Sequence, residues 1–159
     1  MYAKLAVRDL SILAVTLALW ALDARGGGTI VAIAAGIGTG ACAFLFHEWG
    51  HLLGALATGG VFAPPARLAS PFLFSFDARR NDRRRFVLMS LSGFAATGLF
   101  LVVFALWLPL DRLAGKVGMG IALTLATLTV LIEFPLLGRV LVGKPIPTAV
   151  EVYPTRTPS

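Results

Sequence analysis

The sequence predicts an all-α integral membrane protein of about four transmembrane helices, with a short β-hairpin-like or irregular loop after the second. Three observations predict it. The chain of 159 residues is 57% hydrophobic and only 14% charged, whereas a soluble domain carries roughly a quarter charged residues. The apolar residues gather into stretches close to the ~20 residues that a helix needs to span a bilayer. The basic residues fall between those stretches, so the net charge of +6 reads as a topology signal and as contact with anionic headgroups. Nucleic acid is not an expected partner.

The elements follow in order. The first span covers about residues 5–22, with Arg8 and Asp9 near its start. A signal peptide is the competing reading, but Asp23 and Arg25 make a poor small-residue cleavage site, so a retained anchor is expected. The second span covers about residues 29–57, the third about 86–108 and the fourth about 117–143. Gly59-Gly60 is the expected stop of the second helix, and Pro64-Pro65 bars a helix just beyond. Phe72, Phe74 and Phe76 alternate with Leu73, Ser75 and Asp77, the two-residue period of a short strand. The run Arg79, Arg80, Arg83, Arg84, Arg85 leads into the third span. About residues 1–143 form one domain without an internal repeat, and the proline-containing tail 144–159 is expected to be irregular.

Orientation follows from counting lysines and arginines by side. Lys4, Arg8, Arg67, the five loop arginines, Arg139, Lys144 and Arg156 share one side, while Arg25, Arg112 and Lys116 lie on the other. The positive-inside rule makes the first side cytoplasmic and places both termini there. The expected location is a bacterial inner membrane.

The segment FLFHEWGHLLG, residues 44–54, holds both histidines of the chain. HEWGH fits H-E-x-x-H. Residues four apart share a helix face, so His47 and His51 can bind one metal ion together. Glu48 points about 100° around the helix, where it can take a proton from water activated by the metal. Ionisable groups inside a span each cost ~2.5 kcal/mol or more by insertion scales, which makes the pattern more specific here than in a soluble chain. A helix-packing histidine pair is the bland alternative. Haem is a poor one, because two histidines on one helix face cannot take opposite faces of the ring.

A zinc site with an open position takes three protein ligands, and the chain has no third histidine. The remaining donor is a carboxylate or Cys42, the single cysteine. His47 lies about ten residues, ~15 Å, from the cytoplasmic end of its span. Glu133 lies at the same depth in the fourth span. Asp111 is at the opposite surface, and Cys42 is more than a turn from His47 and nearly opposite in angle. Glu133 is therefore the expected ligand, with pairing to Arg139 or a protonated carboxyl as the alternatives. Gly36 and Gly40 fall near the angle of the histidines and predict close helix packing, which would bring a neighbour's ligand to the metal.

These residues resemble the site-2 protease family of intramembrane zinc metalloproteases, over roughly residues 40–143. HEWGH with LLGALATGG resembles the family's H-E-x-G-H helix and its exit. LSGFAATGLF, residues 91–100, resembles the A-G-P-x-x-N helix start, with Ser92, Gly93 and Phe94 at A-G-P and Thr97 at the asparagine. The resemblance implies that Thr97 helps to hold the substrate carbonyl. FPLLGRVL, residues 134–141, resembles P-x-L-D-G-x-R, whose aspartate is the third zinc ligand. Leu137 stands at or next to that aspartate, and Glu133, one turn earlier on the same face and one methylene longer, is its expected replacement.

The resemblance implies hydrolysis of a peptide bond in a membrane protein or peptide substrate. His47, His51 and Glu133 would hold Zn2+, and Glu48 would act as general base. The lipid bilayer is the other partner, and no feature sets an oligomeric state. The alternative is a protease-like membrane scaffold or regulator that does not cleave. A metal transporter would need a polar path across the membrane, which the outer halves of the spans lack.

Overall fold

The computed structural model describes residues 1–147. The rest of the expected tail, 148–159, lies outside the described residues. Four helices, α1 (Tyr2–Ala24), α2 (Gly28–Ala57), α3 (Arg83–Trp107) and α4 (Leu113–Leu141), carry two short strands, β1 (Phe62–Ala63) and β2 (Ser75–Phe76), between α2 and α3. Each helix is long and apolar enough to cross a membrane. The chain is therefore a multi-pass, all-α membrane protein.

Local chemistry sets the boundaries. Gly26 and Gly28, at φ +86° and +80°, turn the chain from α1 into α2. Gly59, at φ +64°, ends α2, and the Gly60 N–H reaches back to the Ala55 carbonyl at 2.8 Å. That is the expected glycine stop. The helices run a little past the apolar stretches because caps, not hydropathy, decide where they start. Asp82 caps α3 by accepting from the Arg85 N–H at 2.8 Å, so Arg83, Arg84 and Arg85 form its first turn. The α4 helix begins at Leu113 and stops two residues before Gly143, whose φ is +88°. The Arg83 guanidinium donates to the Leu141 carbonyl and ties the start of α3 to the end of α4.

The expected alternating strand is shorter than its pattern. Only Ser75 and Phe76 pair, antiparallel, with Ala63 and Phe62. Upstream, the Leu73 N–H goes to a side chain of α2 rather than to a strand partner. Phe72 and Phe74 pack edge-on against Phe44 and Phe62. Asn81 closes the loop, accepting from the Val61 N–H and donating to the Val61 and Asp77 carbonyls.

The α2 helix is the hub and packs against each of the other three. Its buried positions are mostly small: Ala32, Ala35, Gly36, Gly40, Ala43, Gly50, Gly54 and Ala55. The buried residues in the first half of α4, Ala114, Gly115, Gly118 and Ala122, are small too. Large apolar residues point outward instead, Ile30 being 84% exposed, as a lipid-facing surface allows. Where lipid solvates leucine as well as protein does, close backbone approach through small residues holds helices together. A Cβ at Gly36 would stand 2.6 Å from Val117 Cβ and 2.8 Å from the Ala114 carbonyl oxygen.

Gly36→Ala is accordingly expected to destabilise the bundle by about 1–3 kcal/mol through overpacking. Gly98→Ala, where nothing lies within 4 Å, should be neutral or slightly stabilising through helix propensity. Thermal unfolding of the two variants in the same detergent checks the difference.

Candidate metal centre

The Cβ stagger of an α-helix puts His47 and His51 on one face of α2. Their rings meet edge-on with centroids 4.4 Å apart. Both are buried, and both ring Nδ1 atoms are anchored on α3. His51 Nδ1 lies 3.0 Å from the Met89 carbonyl oxygen. His47 Nδ1 lies 2.8 Å from Thr97 Oγ1 and 3.2 Å from the Gly93 carbonyl oxygen. A carbonyl only accepts, so His51 Nδ1 carries the hydrogen. The Thr97 hydroxyl donates to the Gly93 carbonyl, one turn back at 3.1 Å, and so accepts from His47 Nδ1–H. Each imidazole is thereby held in the tautomer that leaves Nε2 with a free lone pair.

Those two lone pairs face one another and a carboxylate. His47 Nε2 and His51 Nε2 are 3.0 Å apart. Glu133 on α4 places Oε1 3.2 Å from the first and Oε2 3.1 Å from the second. Three acceptors therefore converge without a donor between them, an arrangement that is repulsive unless a cation sits among them. His47, His51 and Glu133 form a possible metal-binding triad. The Glu133 side chain is 33% exposed, so the cluster is open on the α4 side.

Packing supplies the room. Gly93 lies directly beneath the His51 ring, and a Cβ there would overlap the imidazole. Gly50 does the same for α3, where a Cβ would stand 2.6 Å from Ala96 Cβ. Pro135 offers no N–H to the Leu131 carbonyl, so the α4 turn carrying Glu133 lacks one helix hydrogen bond.

Glu48 occupies the neighbouring angle of α2 and is 7% exposed. Its Oε2 accepts from the Leu73 N–H at 3.3 Å. It lies within Coulombic reach of both histidines and of Glu133.

The structure thus brings together four of the residues picked from the sequence. Thr97 is also present, but both capacities of its hydroxyl are used, on His47 and on Gly93, so in this structure it orients a histidine. The side chains nearest the Glu133 carboxylate oxygens among the described residues are the two histidines rather than Arg139. Cys42 faces α1 instead, with its Sγ 3.7 Å from Thr16 Oγ1. Sequence reasoning missed Leu73, whose N–H binds Glu48, and Asp9 and Arg8, the first bonded to Trp49 beside Glu48 and the second to Asp9 and the loop carbonyls. An adjacent Arg-Asp pair inside an apolar span was the available signal. No family model matches this chain, and no curated protein or solved structure shows significant similarity to it.

Thr97→Val leaves His47 Nδ1 without its best acceptor and is expected to weaken metal affinity by about 10–100-fold, as loss of a ligand's supporting hydrogen bond does. Gly93→Ala should weaken it at least as much by displacing His51. Competitive chelator titration of the purified variants measures both.

Proposed function

We propose that the protein is an intramembrane zinc metalloprotease that hydrolyses a peptide bond of a membrane-protein substrate. The observation that carries this reading is the convergence of two histidine lone pairs and the Glu133 carboxylate beside the buried carboxylate of Glu48. The identity of the cation rests on donor chemistry and spacing. Two nitrogens and one oxygen suit zinc, and ligand arms of ~2.0–2.1 Å at tetrahedral angles imply donor separations of about 3.3 Å. The two histidine nitrogens are 3.0 Å apart, and each lies 3.1–3.2 Å from a different oxygen of the one Glu133 carboxylate. Three protein donors leave a fourth position, as hydrolytic zinc sites do. Glu133 takes the part that an aspartate plays in the family this chain resembles.

Zinc in such a site makes water more acidic and polarises a carbonyl oxygen. The remaining work falls to the chain's own residues. His47 and His51, locked by α3, present their lone pairs without reorganising. Glu48, poised on the adjacent helix angle, takes the proton from the attacking water and returns it to the leaving amine nitrogen. The low-dielectric surroundings strengthen each of these interactions over its value in water. The positive-inside rule puts the arginine-rich loop, and with it the end of α2 that follows HEWGH, on the cytoplasmic side of the membrane.

Purified protein is expected to carry one zinc per chain by elemental analysis, and Glu133→Ala to lose it. Glu48→Gln should keep the zinc and the fold while cleavage of a co-reconstituted single-span peptide falls by about 10²–10⁴-fold. Equal cleavage by Glu48→Gln and wild type overturns the general base. Bound zinc with no cleavage by either favours a scaffold.

A further inference from the structure

Two ionisable residues of α1 lie against the machinery without belonging to it. Arg8 and Asp9 sit in a span, where charge is costly and marks function. Asp9 is buried. It accepts from Arg8 Nε at 2.7 Å and from the indole Nε1–H of Trp49 at 2.9 Å. Trp49 follows Glu48 in the chain. Arg8 Nη1 donates to the Leu68 carbonyl at 2.7 Å and to the Ser70 carbonyl. Ser70 Oγ accepts from the Phe72 N–H at 3.2 Å. Leu73, at 0% exposure, is pressed into a cluster with Leu5 and Leu52, and its N–H binds Glu48 Oε2. The contacts close a ring: Asp9 to Trp49, Glu48 to Leu73, the loop back to Arg8, and Arg8 to Asp9.

Beyond these contacts the loop is held by the packing of Phe72 and Phe74 and, at its base, by Asn81. The sheet beneath consists of two residue pairs, too few to fix a long connection by themselves. We propose that Arg8 and Asp9 are positioning residues for Glu48, anchoring the 68–73 segment so that the Leu73 N–H fixes one carboxylate oxygen and leaves Oε1 to accept the proton. This inference rests on the protease reading of Glu48. A glutamate has freely turning side-chain bonds, and a base held in one orientation avoids the rate loss that follows from small misplacements. Asp9 is needed because it orients the Arg8 guanidinium and binds α2 at the residue next to the base. An arginine alone would anchor the loop to α1 but not to the motif.

Hydrogen exchange of the Leu73 amide tests the ring without needing zinc or turnover. The full chain, labelled with 15N-leucine, is compared in detergent micelles. Arg8→Gln and Asp9→Asn are expected to speed exchange at Leu73 by about 10-fold or more, the effect of losing a charge-assisted hydrogen bond. Leu45 and Leu52 of α2 should stay within about twofold, a change too small to reflect loss of a hydrogen bond. Arg8→Lys should restore most of the protection. Glu48→Ala should speed Leu73 as much as Arg8→Gln does, and the double variant no more than either, because the two act through one path. Additive effects, or unchanged Leu73 exchange in Arg8→Gln, overturn the proposal. If Arg8→Gln does not fold, Trp49→Phe removes a single N–H and keeps the ring's bulk. Faster Leu73 exchange supports the ring, and unchanged exchange sinks it.

In the cleavage assay, Arg8→Gln should lower kcat by about 10-fold with KM nearly unchanged and zinc content intact, as a misplaced base does. Loss of zinc, or a change in KM alone, overturns the positioning role. Normal ring behaviour in a chain whose Glu48→Gln variant still cleaves would overturn the general-base role of Glu48 instead, while leaving the ring itself demonstrated.

Discussion

Three acceptors facing one another inside an apolar bundle set the terms for the rest of the molecule. Lipid offers no water to separate His47, His51 and Glu133, and each polar group at that depth requires a partner. The α3 helix supplies part of the answer by fixing both Nδ1 hydrogens on its own oxygens. That choice commits both Nε2 lone pairs to the centre, so the repulsion cannot be relieved by a tautomer change. The bundle therefore holds a possible cation site whose two nitrogen donors are oriented by contacts within the protein. Preorganisation of this kind places the cost in folding rather than in binding.

Such a centre needs helices closer together than large side chains permit. That is why α2, the helix carrying the motif, buries mostly small residues while most of its large apolar ones, Ile30, Ile37, Leu53 and Leu56 among them, face outward. The glycines meet different neighbours: Gly36 and Gly40 admit α4, and Gly50 and Gly54 admit α3. One helix thereby receives the third donor from one side and the histidine supports from the other. The apolar loop end, with Leu73 at its tip, covers the remaining side at Glu48. Function and packing draw on the same residues, so the metal centre cannot be separated from the stability of the bundle.

Much of this was legible in the sequence, for definite reasons. Four spans follow from apolar length, and the α2 stop from Gly59-Gly60. The joining of His47, His51 and Glu133 follows from equal depth on two spans. What could not be read is the partnering of groups far apart in the chain. Thr97 offered its type and place in a resemblance, but its role against His47 Nδ1 depends on the rotation of α3. Leu73 looked like one position of an alternating strand. Its burial, and the use of its N–H by Glu48, come from tertiary competition that outweighs a two-residue period. Arg8 was counted as a topology charge, and only the fold reveals that its guanidinium spans to carbonyls 60 and 62 residues away.

The position of the third donor carries a further consequence. Leu137 lies one turn from Glu133 on the same helix face and is 2% exposed. It is buried in the bundle, where a carboxylate would have to be desolvated against apolar neighbours. Glu133 lies at the open edge, with its side chain one-third exposed, and reaches both histidines with different oxygens. The Glu133 carboxylate thus keeps contact with the outside, which the buried position of Leu137 would not allow. Glu133 meets the cluster from its exposed side, while the histidines are tied through Nδ1 to α3. The asymmetry divides the triad: α2 and α3 fix the two nitrogens, and α4 brings the carboxylate to them.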